Sequence, residues 1–352
     1  MVGSELLYRP IYTAAWKHAG RTNRQTPLAF YCPEEIDLLG FEQVAKHLPP
    51  ITYISSNHKV SGKLQQAGLS CKGLFSFPKV LIMSRHSLHR FPSDEILAIG
   101  MRHGPYHFKR MTKAENYNRF SLYLFSSQAD LEAARAIGVR VGQAVGFPRL
   151  DPAFDGSITQ NHLKVLSRRL ALDPSKPTML FTATWDASGM SAIDLWFRHL
   201  ADLSKRWNIL VTLHPWISSK YRKALRHIEG ARLVAPADLL KAIMLANVCV
   251  GDQSSILAEC CALDKGIVTF ETNPAARSLP EIEELLKNIS VRIYRYSELE
   301  QACQLFLDEP SLLQEQRQSA NLLMFDALDG QAGKRAADAI LKHLSDRGIS
   351  CS

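Results

Sequence analysis

Between Ala246 and Glu271 the chain reads ANVCVGDQSSILAECCALDKGIVTFE, and no other stretch constrains the fold as strongly. Residues 247–250 form a short apolar run, 251–255 a tight polar turn, 256–262 a helix-forming run and 266–270 a second apolar run. The pattern predicts strand, turn, helix and strand, a β-turn-α-β unit of the kind that builds parallel sheets. At such a turn the first helical N–H groups lack intrahelical partners and the helix dipole presents its positive end. Ser254 and Ser255 therefore stand where an anion is favoured. The same residues suit plain capping of the helix by Ser254. The stretch alone leaves both readings open.

The alternation extends through most of the chain. Strands are expected at 28–31, 51–54, 80–83, 96–100 and 123–126, with helices at 36–46, 60–66 and 128–137, and residues 139–145 lead into the next motif. Proline and glycine in Gly146-Phe147-Pro148-Arg149-Leu150-Asp151-Pro152 then punctuate the sequence. A domain boundary is expected there, separating residues 1–150 from 151–352. The second series has strands at 178–182, 208–213 and 231–234 and helices at 161–172, 191–205 and 237–245 before the opening unit, with helices alone at 297–306 and 311–347. Two α/β domains with doubly wound parallel sheets follow from this pattern.

Ligands of such sheets bind at the carboxyl ends of the strands. In the second series those ends collect Thr182, Thr184, His214 and the 252–255 turn, a clustering that unrelated loops need not have. In the first, the strand at 96–100 runs into Met101-Arg102-His103-Gly104, and the strand at 80–83 into Ser84-Arg85-His86. A histidine directly after a strand, beside a glycine that lets another group approach, is a candidate general base; a lone histidine also reads as an ordinary surface or core residue.

Composition narrows the classes further. The seven cysteines contain no C-x-x-C pair and lie in apolar runs, which argues for reduced thiols rather than a disulfide framework or a cysteine metal site. No apolar run reaches the length of a spanning helix or a signal-peptide core, so a cytoplasmic location is expected. A net charge of +8 fits phosphorylated ligands, polyanions or anionic lipid, and equally fits simple solubility. Residues 5–24 mix Leu6, Tyr8, Ile11, Tyr12 and Trp16 with Arg9, Lys17, Arg21 and Arg24. That suits a membrane interface or a first helix packed on its own domain, and Pro10 is expected to interrupt any helix begun before it.

Five segments, in order, resemble the CDP-glycerol glycerophosphotransferase family, the teichoic-acid-type polymerases and primases of GT-B architecture. Ile96 to Lys109, with His103-Gly104-Pro105, is similar to the family's strand followed by H-G-T-P-x-K, and Gly146 to Asp151 to its G-Y-P-R-x-D. Thr178 to Asp186 resembles its strand followed by P-T-W, Leu210 to Pro215 its strand followed by H-P, and Leu245 to Phe270 its D-Y-S-S strand-turn-helix. The departures are Gln253 for a tyrosine, Gly251 for a threonine, Asn247 for an aspartate, Gly266 for a proline, and a shifted register at Lys109.

The resemblance implies two Rossmann-like domains facing each other across a cleft, the second holding a CDP-polyol donor and the first a lipid-linked or saccharide acceptor. It implies His103 and His214 as the catalytic pair. Thr182, Thr184, Pro215, Asp252, Ser254, Ser255, Glu259 and Arg149 fall on the donor side, Gly104 and Lys109 on the acceptor side. It implies no dinucleotide cofactor and no metal-binding set; Asp252 and Glu259 are the nearest carboxylates for a divalent ion. No nucleic-acid partner is expected. An anionic membrane surface is, placing the protein peripherally on the inner face of the cytoplasmic membrane. A UDP-sugar glycosyltransferase or epimerase of the same architecture, and a nucleotide-binding module without catalysis, are the alternatives.

Overall fold

The computed structural model describes residues 2–108 and 111–349, with side chains from Tyr8 onward. Two compact units result: Met1–Tyr106, Thr112–Asp151 and Asp329–Ser352 form the first, His107–Met111 and Pro152–Leu328 the second.

The first unit is built on β1 (Thr26–Tyr31), β2 (Thr52–Ile54), β3 (Cys71–Lys72), β4 (Pro78–Met83), β5 (Leu97–Met101), β6 (Leu122–Phe125) and β7 (Gln143–Ala144). Their order is β3-β2-β1-β4-β5-β6-β7, parallel throughout. Central strands in such a sheet are covered on both faces, which is why Val80, Leu81 and Ile82 form a continuous apolar run with no exposed surface.

Two expectations fail here. The C-terminal residues 329–352, assigned by the sequence boundary to the second domain, belong to the first unit. Helix Ala332–Ser345 packs Ala336, Ala337, Ile340 and Leu344 into that unit's core beside helix Glu35–Ala45. The helix also begins on the boundary motif itself: the Asp151 carboxylate accepts the Ala332 and Gly333 N–H groups at 3.1 and 2.6 Å. A carboxylate there satisfies orphan donors and complements the helix dipole.

Pro10 does not interrupt the first helix, which runs from Val2 to Arg21. The hydrogen bond lost at proline is outweighed by docking. Tyr12 and Ala19 are buried, Trp16 Nε1 donates to the Pro78 carbonyl at 2.7 Å, Lys17 pairs with Glu95 at 3.0 Å, and Arg9 pairs with Asp94. The helix therefore packs on its own domain with Tyr12 and Trp16, while Tyr8 and Ile11 remain exposed.

In the second unit β8 (Thr178–Ala183), β9 (Asn208–Leu213), β10 (Ala231–Leu233), β11 (Val248–Gly251), β12 (Gly266–Phe270) and β13 (Val291–Ile293) are ordered β10-β9-β8-β11-β12-β13, again all parallel. The chain winds outward from β8 to β10, returns to the other side of β8, and winds outward again. The reversal between β8 and β11 opens a crevice at their carboxyl ends, the topological switch point where ligands of doubly wound sheets bind. Asn247 extends the pairing of these two strands: its Oδ1 accepts the Thr178 N–H at 2.8 Å, and its own N–H donates to the Thr178 carbonyl at 2.9 Å. Gly266 is required by Phe306, whose ring carbon would lie 2.6 Å from a Cβ at that position. The glycine at 266, one of the chain's departures from the family pattern, thus has a local packing reason.

Candidate functional site

At the β8/β11 crevice the residues expected from sequence come together. Thr182, Thr184, Asp252 and Ser254 are all buried. The Thr182 and Ser254 hydroxyls lie 3.1 Å apart. The Asp252 carboxylate accepts the Thr184 N–H at 3.1 Å on each oxygen, the Ala192 N–H at 3.0 Å and the Thr184 hydroxyl at 3.4 Å. Asp252 therefore braces the loop after β8 and gives the crevice its shape.

Ser254 does not cap the following helix through its side chain. Ser255 occupies the N-cap position, has helical backbone angles and makes no side-chain cap bond. Helix Ile256–Ala262 has only seven residues. Glu259 lies within it and is buried.

Gln253, the residue that departs from the family's tyrosine, is 3% exposed and bonded at both ends of its amide. Its Nε2 donates to Glu283 and, at 3.4 Å, to the Thr272 hydroxyl; its Oε1 accepts the Ser278 hydroxyl at 3.1 Å. Glu283 is held in turn by Arg292 at 3.1 Å. No sequence signal marks this network, because Gln253 and Glu283 stand 30 positions apart on elements that meet only in the folded sheet.

The loops after β8 and β9 place three rings side by side. Trp185 lies 5.0 Å from His214 and 5.5 Å from Trp216, and His214 lies 5.5 Å from Trp216, between ring centroids. Asp186 fixes the pair of loops by accepting the Ser218 N–H at 2.9 Å and the Ser218 hydroxyl, bonds that hold its carboxyl below the usual carboxylate range. Pro215 is exposed between His214 and Trp216. The Trp216 N–H donates to His214 Nδ1 at 3.1 Å, so the neutral ring carries its proton on Nε2.

In the first unit His103 follows β5 and keeps part of its surface in solvent. The Ser84 backbone lies close to the ring and favours its charged form, an effect outweighed by the surroundings. Close surrounding protein disfavours the charged form, Arg85 and Arg102 add repulsion, and the pKa is pushed down to about 3. Both arginines are anchored. Arg85 meets the buried Asp37 at 3.0 Å, whose other oxygen accepts the Ser84 hydroxyl at 2.8 Å, and Arg102 forms a two-pronged pair with the buried Asp130. His86, ringed by Tyr117, Phe120 and Tyr123, is lowered to about 4, chiefly by burial.

Gly104 is half-buried beside His103, and Lys109 lies outside the described residues. Arg149 belongs to the first unit, not to the unit with the β8/β11 crevice, and is buried with its guanidinium 6.0 Å from the Phe147 ring centroid. Among the described residues no group of three His, Cys, Asp or Glu side chains is placed to hold a metal ion.

A family model for CDP-glycerol:poly(glycerophosphate) glycerophosphotransferase matches residues 100–342, more than half of the chain. Among solved structures, the wall teichoic acid polymerase TagF superposes with a TM-score of 0.68 at 15% identity, over 98% of this chain and 95% of that one. MnaA of S. aureus, solved with UDP, gives 0.65 at 12% identity over 91% and 97%. A putative UDP-N-acetylglucosamine 2-epimerase from Listeria monocytogenes gives 0.63 at 11% identity over 92% and 97%. At these identities the likeness is one of fold. No curated protein matches the chain.

Proposed function

Because the chain belongs to the CDP-glycerol:poly(glycerophosphate) glycerophosphotransferase family, we propose that it moves a glycerol-phosphate or related polyol-phosphate unit from a CDP-activated donor to a hydroxyl of a polymer or lipid-linked acceptor. This reading rests above all on the span of the family match, which starts on β5 just before His103 and continues through β8, β9, β11 and β12. Both sets of strand ends described above therefore lie inside it.

In the proposed reaction the acceptor oxygen attacks the polyol-bearing phosphorus, a new P–O bond forms, the pyrophosphate P–O bond breaks, and CMP leaves. The acceptor's proton passes to a ring nitrogen of His103. Negative charge on the phosphoryl oxygens is met by fixed donors in the second unit: the Thr182 and Ser254 hydroxyls and the Nε2–H of His214. Asp252 serves this set by shaping the loop that carries Thr184.

The test follows CMP release from labelled CDP-glycerol with a saccharide or lipid-linked acceptor. His103→Ala is expected to lower kcat by about 10²-fold to 10⁴-fold. Full activity in that variant removes the base assignment, and absence of CMP from every CDP-polyol sinks the reaction class. Thermal protection by UDP over CDP points instead to the UDP-sugar chemistry of the epimerases.

No helix among the described residues is long and apolar enough to cross a membrane. Peripheral binding to anionic lipid at the cytoplasmic face is proposed from Tyr8 and Ile11, which are exposed on a basic helix. Sedimentation with anionic liposomes that is unchanged by Tyr8→Ser and Ile11→Ser rejects that surface.

A further inference from the structure

The segment from Thr272 to Leu279, between β12 and helix Pro280–Ile289, has no regular structure beyond a turn at 276–277. It nevertheless follows a defined path. Ser278 accepts the Ala275 N–H at 3.0 Å and donates to Gln253 at 3.1 Å, and Thr272 accepts from the other end of the same amide. Ala275 lies against the loop after β8, its Cβ 3.4 Å from where a Cβ on Gly189 would stand. The segment thus runs from the carboxyl end of β12 over the turn after β11 to the loop after β8, along the mouth of the switch-point crevice. It carries Arg277, which is exposed and forms no ion pair among the described residues.

Resting on the donor assignment above, we propose that Gln253 is a positioning residue that straps this segment down so that Arg277 stands over the phosphates of an anionic donor. The crevice itself needs such a cation. Its hydroxyls and neutral imidazole supply hydrogen bonds without charge. Arg292 is engaged by Glu283 at 3.1 Å and Glu271 at 3.7 Å, and Arg222 by the His214 carbonyl at 2.8 Å. An amide suits the tie because its NH₂ group donates to both Glu283 and Thr272 while its oxygen accepts from Ser278, three bonds on two separated atoms where a tyrosine hydroxyl has one proton and one oxygen.

The variants are Gln253→Ala, Gln253→Glu and Arg277→Lys in the full chain. Two measurements are made on each: the rate of trypsin cleavage after residue 277 with no substrate present, and the KM for CDP-glycerol set against kcat. Gln253→Ala is expected to speed cleavage and raise KM about tenfold with kcat little changed. Gln253→Glu places a second carboxylate against Glu283 above the carboxylate range. Its KM should approach the wild-type value as the pH falls and the new acid becomes a donor, a recovery that mere loss of packing does not give. Arg277→Lys removes the planar fork and is expected to raise KM by a similar factor.

Unchanged cleavage in Gln253→Ala overturns the strap, and unchanged KM in both position-277 and position-253 variants overturns its role in donor binding. If the wild-type protein turns over no CDP-polyol, the transferase reading fails on its own, while the cleavage comparison still decides the strap.

Discussion

Asp252→Ala isolates what the switch-point carboxylate does. In the wild-type protein that side chain, 1% exposed, receives the Thr184 and Ala192 N–H groups and the Thr184 hydroxyl. Alanine leaves two backbone N–H groups without this acceptor at the point where the loop after β8 turns, about 1–3 kcal/mol each. Removing a buried charge offsets part of that cost, and the net loss is put at about 3 kcal/mol. For a unit in the 150–250-residue range this lowers Tm by roughly 6–12 °C. Differential scanning calorimetry reads the shift directly. Asp252→Asn should recover little of it, because an amide oxygen replaces only one acceptor and the NH₂ group opposes the N–H donors. The loss should appear equally with magnesium or with a chelator present, since the carboxylate receives N–H and hydroxyl donors of the protein itself. A variant that melts within a degree or two of wild type, or one whose loss appears only with magnesium, refutes the bracing role.

Three further outcomes follow from the geometry. Gly333→Ala puts a Cβ 2.6 Å from the Gln43 carbonyl oxygen, a backbone atom that cannot swing aside, so a loss of about 1–3 kcal/mol is expected in thermal melts and an unchanged Tm rejects the contact. Asp151→Ala removes the acceptor at the start of helix Ala332–Ser345; stability should fall by about 1–2 kcal/mol, with faster amide hydrogen exchange concentrated in that helix. His86 and His103 have folded pKa values of about 4 and about 3, below the roughly 6.5 of an unfolded histidine. The unfolded chain therefore binds more protons between those values. The contribution is fully present above about pH 6.5 and is lost as the pH falls toward 4, so the His86→Gln, His103→Gln double variant should flatten that part of a stability profile, and an identical slope rejects it.

The strands legible in the sequence were those buried on both faces. Val80 to Met83, Asn208 to Leu213 and Gly266 to Phe270 are mainly apolar and almost wholly buried because a parallel sheet is covered on both faces, and all three stand close to where periodicity placed them. Edge strands carry no such pressure. β7 and β3, each of two residues, leave too little pattern to notice. The helix expected at 191–205 breaks into three short turns around the buried Trp196, and the one at 311–347 divides near Asp326, which has a positive φ. Helix Ala332–Ser345 shows one apolar face in sequence, but an apolar face does not say which core it enters; Asp151, 181 positions earlier, settles that.

The same distinction separates the residues of the candidate site. Polar side chains that directly follow an apolar strand are visible in a sequence because the run ends on them, which is how Thr184, His103, His214 and Ser254 are found. Their supports are not visible, since Asp37 beneath Arg85, Asp130 beneath Arg102 and Glu283 beneath Gln253 come from helices Glu35–Ala45, Gln128–Ala136 and Pro280–Ile289. A motif letter also does not reveal whether a side chain faces a ligand or the backbone. Asp151 and Asp252 both lie in family-like motifs, and both hold the N–H groups of a neighbouring segment. Carboxylates used this way hold the backbone in shape, so losing either aspartate is expected to weaken the fold of its own unit.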